Sequence, residues 1–171
     1  MEEQQKVTSH IVKGLAIGLI LVALSLLGSF NGAEQPGWSK WLSNIILFGG
    51  IVAGCIIYSN QMNNNVTFGN VFVHGFKLGA VITCVMIVFT ISFLMLNPDI
   101  KQVAMNAARE EMEKQNKMSE EEIESAIKII GKFFYVFAIG GIAVVYLFIS
   151  VIAALLGAAV SKKNPQTPFQ Q

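Results

Sequence analysis

The stretch FFYVFAIGGIAVVYLFISVIAALLGAAV, from Phe133 to Val160, contains no charged residue, and it decides the solvent in which this chain folds. As a helix rising about 1.5 Å per residue, it is long enough to cross a hydrocarbon core roughly 30 Å thick. Three further stretches read the same way: Ile11 to Phe30, Trp41 to Tyr58 and Leu78 to Leu96, where only Lys13 near the edge of the first is charged. With 53% hydrophobic and 13% charged residues and a mean hydropathy of +0.56, the 171-residue chain cannot hide its apolar surface in one small core. The expected fold is all-α: an integral membrane four-helix bundle with spans at about 11–30, 41–58, 73–96 and 133–160.

Residues 98–130 change character. Asn97-Pro98-Asp99 predicts a helix start, with Asn97 as cap, Pro98 at the first position and Asp99 at the positive end of the dipole. That helix is expected to reach about Gln115, with Ile100, Val103, Ala104, Ala107 and Ala108 on its apolar side. Ser119-Glu120-Glu121-Glu122 is a capping box that opens a second helix, whose Ile123, Ala126, Ile127 and Ile130 recur at i, i+3, i+4 and i+7. The two make a water-side helical hairpin between the third and fourth spans. The second helix is expected to run on into the last span, with Gly131 as its kink.

The first apolar stretch is longer than a signal-peptide core, and it follows a leader (Met1 to His10) that holds Glu2, Glu3 and Lys6. It leaves through Gly28-Ser29-Phe30-Asn31 without a small-residue cleavage pattern, so it reads as a retained span. Asn31-Gly32 and Pro36-Gly37 are expected to end it. Trp38 and Trp41 stand where the second span meets the interface, and Tyr58 stands at its other end as a matching anchor. The short polar loop Asn60 to Asn65 makes the second and third spans antiparallel neighbours, with Thr67 capping the next helix. Four spans put both termini on one side. Lys6, Lys13, Lys77, Lys162 and Lys163 belong to that side, and Lys40, Lys101, Arg109, Lys114, Lys117, Lys128 and Lys132 to the other. Counting basic residues alone favours the hairpin side inside, and acids count little in the positive-inside rule. Because several of the second group lie near the hairpin tip amid glutamates, the weight is placed on the lysines flanking the lipid at the tails, and both termini are expected in the cytoplasm.

Small residues one turn apart recur in all four spans: Gly14 and Gly18, Gly50 and Gly54, Gly75 and Gly79, then Ala153, Gly157 and Ser161. They read as helix-packing positions, within one chain or between two copies, because close backbone approach drives association in lipid. Thr83 and Thr90 extend the Gly75–Gly79 face into a polar seam, structural if each hydroxyl bonds the preceding turn, or a solute path. His74 and Lys77, at the mouth of the third span, read as interface or lipid-headgroup contacts, and His10 as a solvated residue. Glu110, Glu111, Glu113, Glu120, Glu121, Glu122 and Glu124 form a solvated acidic face that can also dock a protein partner. Cys55 and Cys84 lie inside apolar stretches and imply no disulfide framework.

No catalytic, cofactor-binding or metal-ligating set is expected: H-E-x-x-H, G-x-S-x-G, C-x-x-C and a phosphate-binding glycine loop are all missing from the sequence. A net charge of +1 without a basic face argues against nucleic acid as a partner. Membrane lipids are the expected partners, together with another protein or a second copy of the chain. The residues point to a non-enzymatic membrane-anchored interaction or structural component. A small solute or ion carrier, using the third-span seam and Lys77, is the alternative.

His10-Ile11-Val12-Lys13-Gly14-Leu15-Ala16-Ile17-Gly18 opens the first span, and Val66-Thr67-Phe68-Gly69 leads through Phe76-Lys77-Leu78-Gly79 into the third. With the order of elements, these residues make nearly the whole chain resemble the bacterial four-span membrane family named for domain of unknown function 4199 (DUF4199). The resemblance implies a bacterial inner-membrane protein, carries no assigned activity, and brings no catalytic or binding residues with it.

Overall fold

Side-chain caps mark three of the helix starts. The computed structural model describes residues 7–30 and 37–164, with side chains at 7–29 and 41–164. These residues form α1 (His10–Phe30), α2 (Gly37–Gln61), α3 (Phe68–Leu96), α4 (Asp99–Gln115), α5 (Glu120–Lys132) and α6 (Phe134–Val160), and no strand occurs among them. The Ser9 hydroxyl accepts the Ile11 amide at 3.2 Å before α1, and Thr67 accepts the Asn70 amide at 3.3 Å before α3. The chain breaks expected at Asn31-Gly32 and Pro36, the leader through Lys6, and the side chain of Trp38 lie outside the described residues.

Four of the helices are long and apolar enough to cross a membrane, over His10–Ser29, Trp41–Gln61, Phe68–Leu96 and Phe134–Val160. The chain divides into two compact units, Met1–Met86 with Val144–Gln171, and Ile87–Ala143. In the first unit the interior is built from Leu21, Leu47, Ile51, Leu78 and Ile82 together with Ala153, Ala154, Ala158, Ser150 and Ser161, all buried. Large apolar residues face outward instead: Val12, Leu19, Leu27, Ile45, Phe148 and Val160 are exposed. Large apolar residues on the outside as well as the inside, with small ones at the close helix contacts, suit a bundle whose surroundings are as apolar as its core. Between α2 and α3, Asn63 and Asn64 both take left-handed backbone (φ 51° and 61°), a conformation asparagine tolerates better than most residues, and this makes the connection tight.

In the second unit α4 packs on α5, joined through Asn116, whose left-handed backbone (φ 47°) ends α4 with its N–H on the Glu113 carbonyl. The capping box of α5 is formed: the Glu122 amide donates to Ser119 Oγ at 3.4 Å, and the Ser119 amide donates to Glu122 Oε2 at 2.8 Å. Ile123 and Ile127 are buried, with Ala126 and Ile130 half-buried beside them.

Three local expectations need correction. Asn97 does not cap α4. Its Nδ2 donates back to the Phe93 carbonyl at 3.0 Å, so it closes the end of α3, and Pro98 takes the cap position of α4 without a side-chain bond. The apolar face of α4 is rotated as well. Val103 is 59% exposed and Ala107 is exposed, while Ala104, Met105, Ala108 and Met112 are half-buried; the two methionines, flexible enough to fill an irregular gap, define the packed side. Finally, the helix breaks at Phe133 and not at Gly131. The Phe133 amide still reaches the Ile129 carbonyl at 3.1 Å, and α6 starts afresh with the Phe137 amide on the Phe133 carbonyl at 2.9 Å. Gly131 serves packing, since a Cβ there would sit 3.0 Å from Met105 Cε.

Candidate functional site

The glycines chosen from spacing meet neighbours within the chain. A Cβ on Gly14 would lie 2.8 Å from Val81, one on Gly18 3.0 Å from Val85, one on Gly50 3.0 Å from Ile17, and one on Gly54 2.6 Å from Leu78. Gly75 faces Cys55 and Ala154, Gly79 faces Ser150, and Gly157 faces Cys55, so a single thiol occupies the space left by two glycines on α3 and α6. Thr83 is buried and its hydroxyl donates to the Gly79 carbonyl at 2.9 Å, one turn back. Thr90 lies on the part of α3 that belongs to the second unit and is half-buried. Trp41 is exposed on α2, and Cys84 is exposed while Cys55 is buried, both as free thiols.

At one end of the first unit, the starts of α1 and α3 meet the ends of α2 and α6 through a mesh of polar contacts. The Thr8 amide donates to Gln61 Oε1 at 3.2 Å, Gln61 Nε2 donates to Thr8 Oγ1 at 3.0 Å, and Lys13 Nζ donates to the same Gln61 oxygen at 3.2 Å. Ser59 donates to the Lys162 carbonyl, and the Asn164 amide donates to the Asn64 carbonyl at 2.7 Å. Lys163 donates to the Ala158 and Ser161 carbonyls, which finishes the end of α6, and its ammonium lies 5.8 Å from the centre of the Phe68 ring.

Within this end lies a cavity of about 470 Å³, with His10, Tyr58, Asn70, His74 and Lys77 in its lining. His74 is only 8% exposed. Its ring stacks on Tyr58, with centroids 4.0 Å apart and planes 9° from parallel, and His10 meets it edge-on at 5.8 Å. The buried His74 Nε2 has no hydrogen-bond partner among the described residues. Thus Tyr58, expected as a lipid-interface anchor, and His10, expected in free solvent, both hold the ring of His74. Lys77 is exposed on the same helix, three residues further on.

The seven hairpin glutamates are all exposed. Glu110 approaches Lys114 at 3.8 Å, and Glu122 is engaged by the capping box, where the Ser119 backbone N–H and then its hydroxyl hold the carboxyl below the ordinary glutamate value of 4.5. No group of three or more His, Cys, Asp or Glu side chains converges in a metal-binding arrangement among the described residues.

The profile of the family described as protein of unknown function (DUF4199) matches residues 13–163. The chain belongs to the DUF4199 family. No curated protein matches it, and no solved structure does. In this DUF4199 chain the matched segment holds Lys13, Tyr58, His74 and Lys77 as well as the whole hairpin, whereas Thr8 and His10 precede it. Sequence reasoning reached His74 and Lys77 through their place at a span edge. It missed Tyr58 and His10 as their companions, because the contact joins three helices whose relative rotation no local pattern encodes.

Proposed function

We propose that this DUF4199 protein is a non-enzymatic, membrane-anchored interaction component whose α4–α5 hairpin presents an acidic face to a basic surface of a protein partner. One observation carries the reading. The hairpin closes on itself through Ile123, Ile127 and the α4 methionines, and leaves Glu111, Glu113, Glu120, Glu121 and Glu124 exposed beside the Glu110–Lys114 pair. Charges that are not needed for the hairpin's own fold remain available for complementary charge elsewhere.

The seat of the protein in this reading is a bacterial inner membrane with both termini in the cytoplasm. Its ground is the set of lysines that flank the lipid, Lys13, Lys77, Lys162 and Lys163, which share one end of the first unit; a bare count of basic residues points the other way, because most of the opposing ones lie in the hairpin among its glutamates. The carrier alternative draws no support from α3, whose Gly75, Gly79 and Thr83 are closed against Cys55, Ala154, Ser150 and the helix's own backbone.

The test is crosslinking of the full-length protein in its native membrane, compared with a variant carrying Gln at Glu110, Glu111, Glu113, Glu120, Glu121 and Glu124. Glu122 stays, because it caps α5. A crosslinked product seen with wild type should vanish from the variant at equal expression. The same crosslinked products from both proteins would reject the reading.

A further inference from the structure

Among the described residues, the end of the first unit that holds the His74 cavity is charged one way. Lys13, Lys77, Lys162 and Lys163 gather there with His10 and His74, and the described residues of that unit contain no carboxylate to balance them. Two helices also begin at the cavity. Ser9 and His10 bring the start of α1 to its wall, and Asn70 brings the first turn of α3. Each start carries a partial positive charge of about half an elementary unit, and both face the same space.

Inside that field sits a buried nitrogen with nothing to bond. His74 Nε2 has no partner among the described residues, and the ring cannot turn away easily, since Tyr58 covers its face and His10 its edge. Nearly all buried polar atoms in folded proteins are paired, so an orphan in a ring that lines a cavity marks a place where a small ring movement would gain a ligand contact. Imidazole, ammonium, phenol and amide groups from His74, Lys77, Tyr58 and Asn70 surround a volume of about 470 Å³. A lining with three kinds of hydrogen-bond donor and a lysine suits an oxyanion with several acceptor oxygens, such as a phosphate.

We infer that this cavity is a phosphate-binding site, filled either by the headgroup of an anionic phospholipid or by soluble phosphate. His10 and Phe68 are the first residues of their apolar spans, which sets the cavity at the depth of lipid headgroups. The inference is independent of the hairpin reading and survives if that reading fails.

The chain has two histidines, so isotope-labelled histidine reports on His10 and His74 alone. Full-length protein in neutral detergent is titrated with dihexanoylphosphatidylglycerol, with dihexanoylphosphatidylcholine, and with inorganic phosphate against matched sodium chloride, while the His74 ring resonances are followed. A saturable shift with the phosphatidylglycerol and not the phosphatidylcholine identifies an anionic-headgroup site, and one with inorganic phosphate identifies a soluble-phosphate site; either supports the inference. Lys77→Gln should weaken the saturable binding roughly tenfold, as expected for loss of one charged hydrogen bond, and Lys128→Gln, on α5, should leave it unchanged. Lys77 is exposed, so the variant keeps the fold. No saturable shift with either the anionic lipid or inorganic phosphate beyond chloride, saturable shifts of equal size with both lipids and none with inorganic phosphate, or a Lys77→Gln protein that binds like wild type would each overturn the assignment.

Discussion

His74 is held at a cost. A buried nitrogen without a partner destabilises a protein by about 1–3 kcal/mol, and the phenyl ring of phenylalanine keeps the stack on Tyr58 while removing that nitrogen. His74→Phe should therefore raise the stability of the ligand-free protein by about 1 kcal/mol or more, read as a later midpoint in denaturing-detergent titration followed by circular dichroism. A lower midpoint would show that the nitrogen is satisfied in the native protein. Glycines divide by the same local logic. A methyl group on Gly49 would meet nothing within 4 Å, whereas Gly79 faces Ser150 on α6. Gly49→Ala should be neutral or gain up to about 1 kcal/mol through helix propensity, and Gly79→Val should lose about 1–3 kcal/mol through overpacking. The same titration on both variants checks the pair; equal midpoints would deny Gly79 its packing role.

Among the elements, α5 is the most dependent on a single cap. Ser119→Ala removes the hydroxyl that accepts the Glu122 amide and should cost about 1 kcal/mol of local stability. Hydrogen exchange over α5 should quicken in that variant while α1 to α3 keep their protection. The cap also titrates. Because the folded hairpin holds the Glu122 carboxyl below its ordinary 4.5, the cap's contribution is complete above that value and is lost as pH falls through the depressed native one. Amide exchange at the start of α5, corrected for intrinsic rates, should thus rise on acidification in wild type, and less so in Ser119→Ala, which has less of the cap to lose. An identical acid response in both proteins would remove Glu122 from the explanation. The interruption at Phe133 has a related logic: α5 must keep Ile123 and Ile127 against its neighbour, α6 is apolar on every side, and one non-helical residue frees the two faces from a shared phase.

At the scale of the molecule, the decisive property is which side of the lipid each polar end meets. Single cysteines at Lys117, in the hairpin connection, and at Lys162, after α6, in a chain with Cys55 and Cys84 replaced by Ala, distinguish the sides. In intact cells stripped of their outer envelope, a membrane-impermeant maleimide should label position 117 at once and position 162 only after permeabilisation; the reverse pattern would invert the topology. The four spans and the capping box were legible because hydropathy and capping are written in neighbouring residues, such as the uncharged run to Val160 and Ser119 with Glu122. The packed side of α4 was not, since Ala104, Ala107 and Ala108 weigh alike in any periodicity, and Met105 and Met112 settled the matter only by contact. The trio of His10, Tyr58 and His74 was equally silent, each residue having a bland local reading. Cys55, wedged between Gly75 and Gly157 while Cys84 looks outward, gives the molecule an internal stopwatch. A lipid-soluble alkylating reagent marks one sulfur from the first moment and the other only when three helices separate, so the ratio of singly to doubly modified chains times the opening of the bundle within one sample.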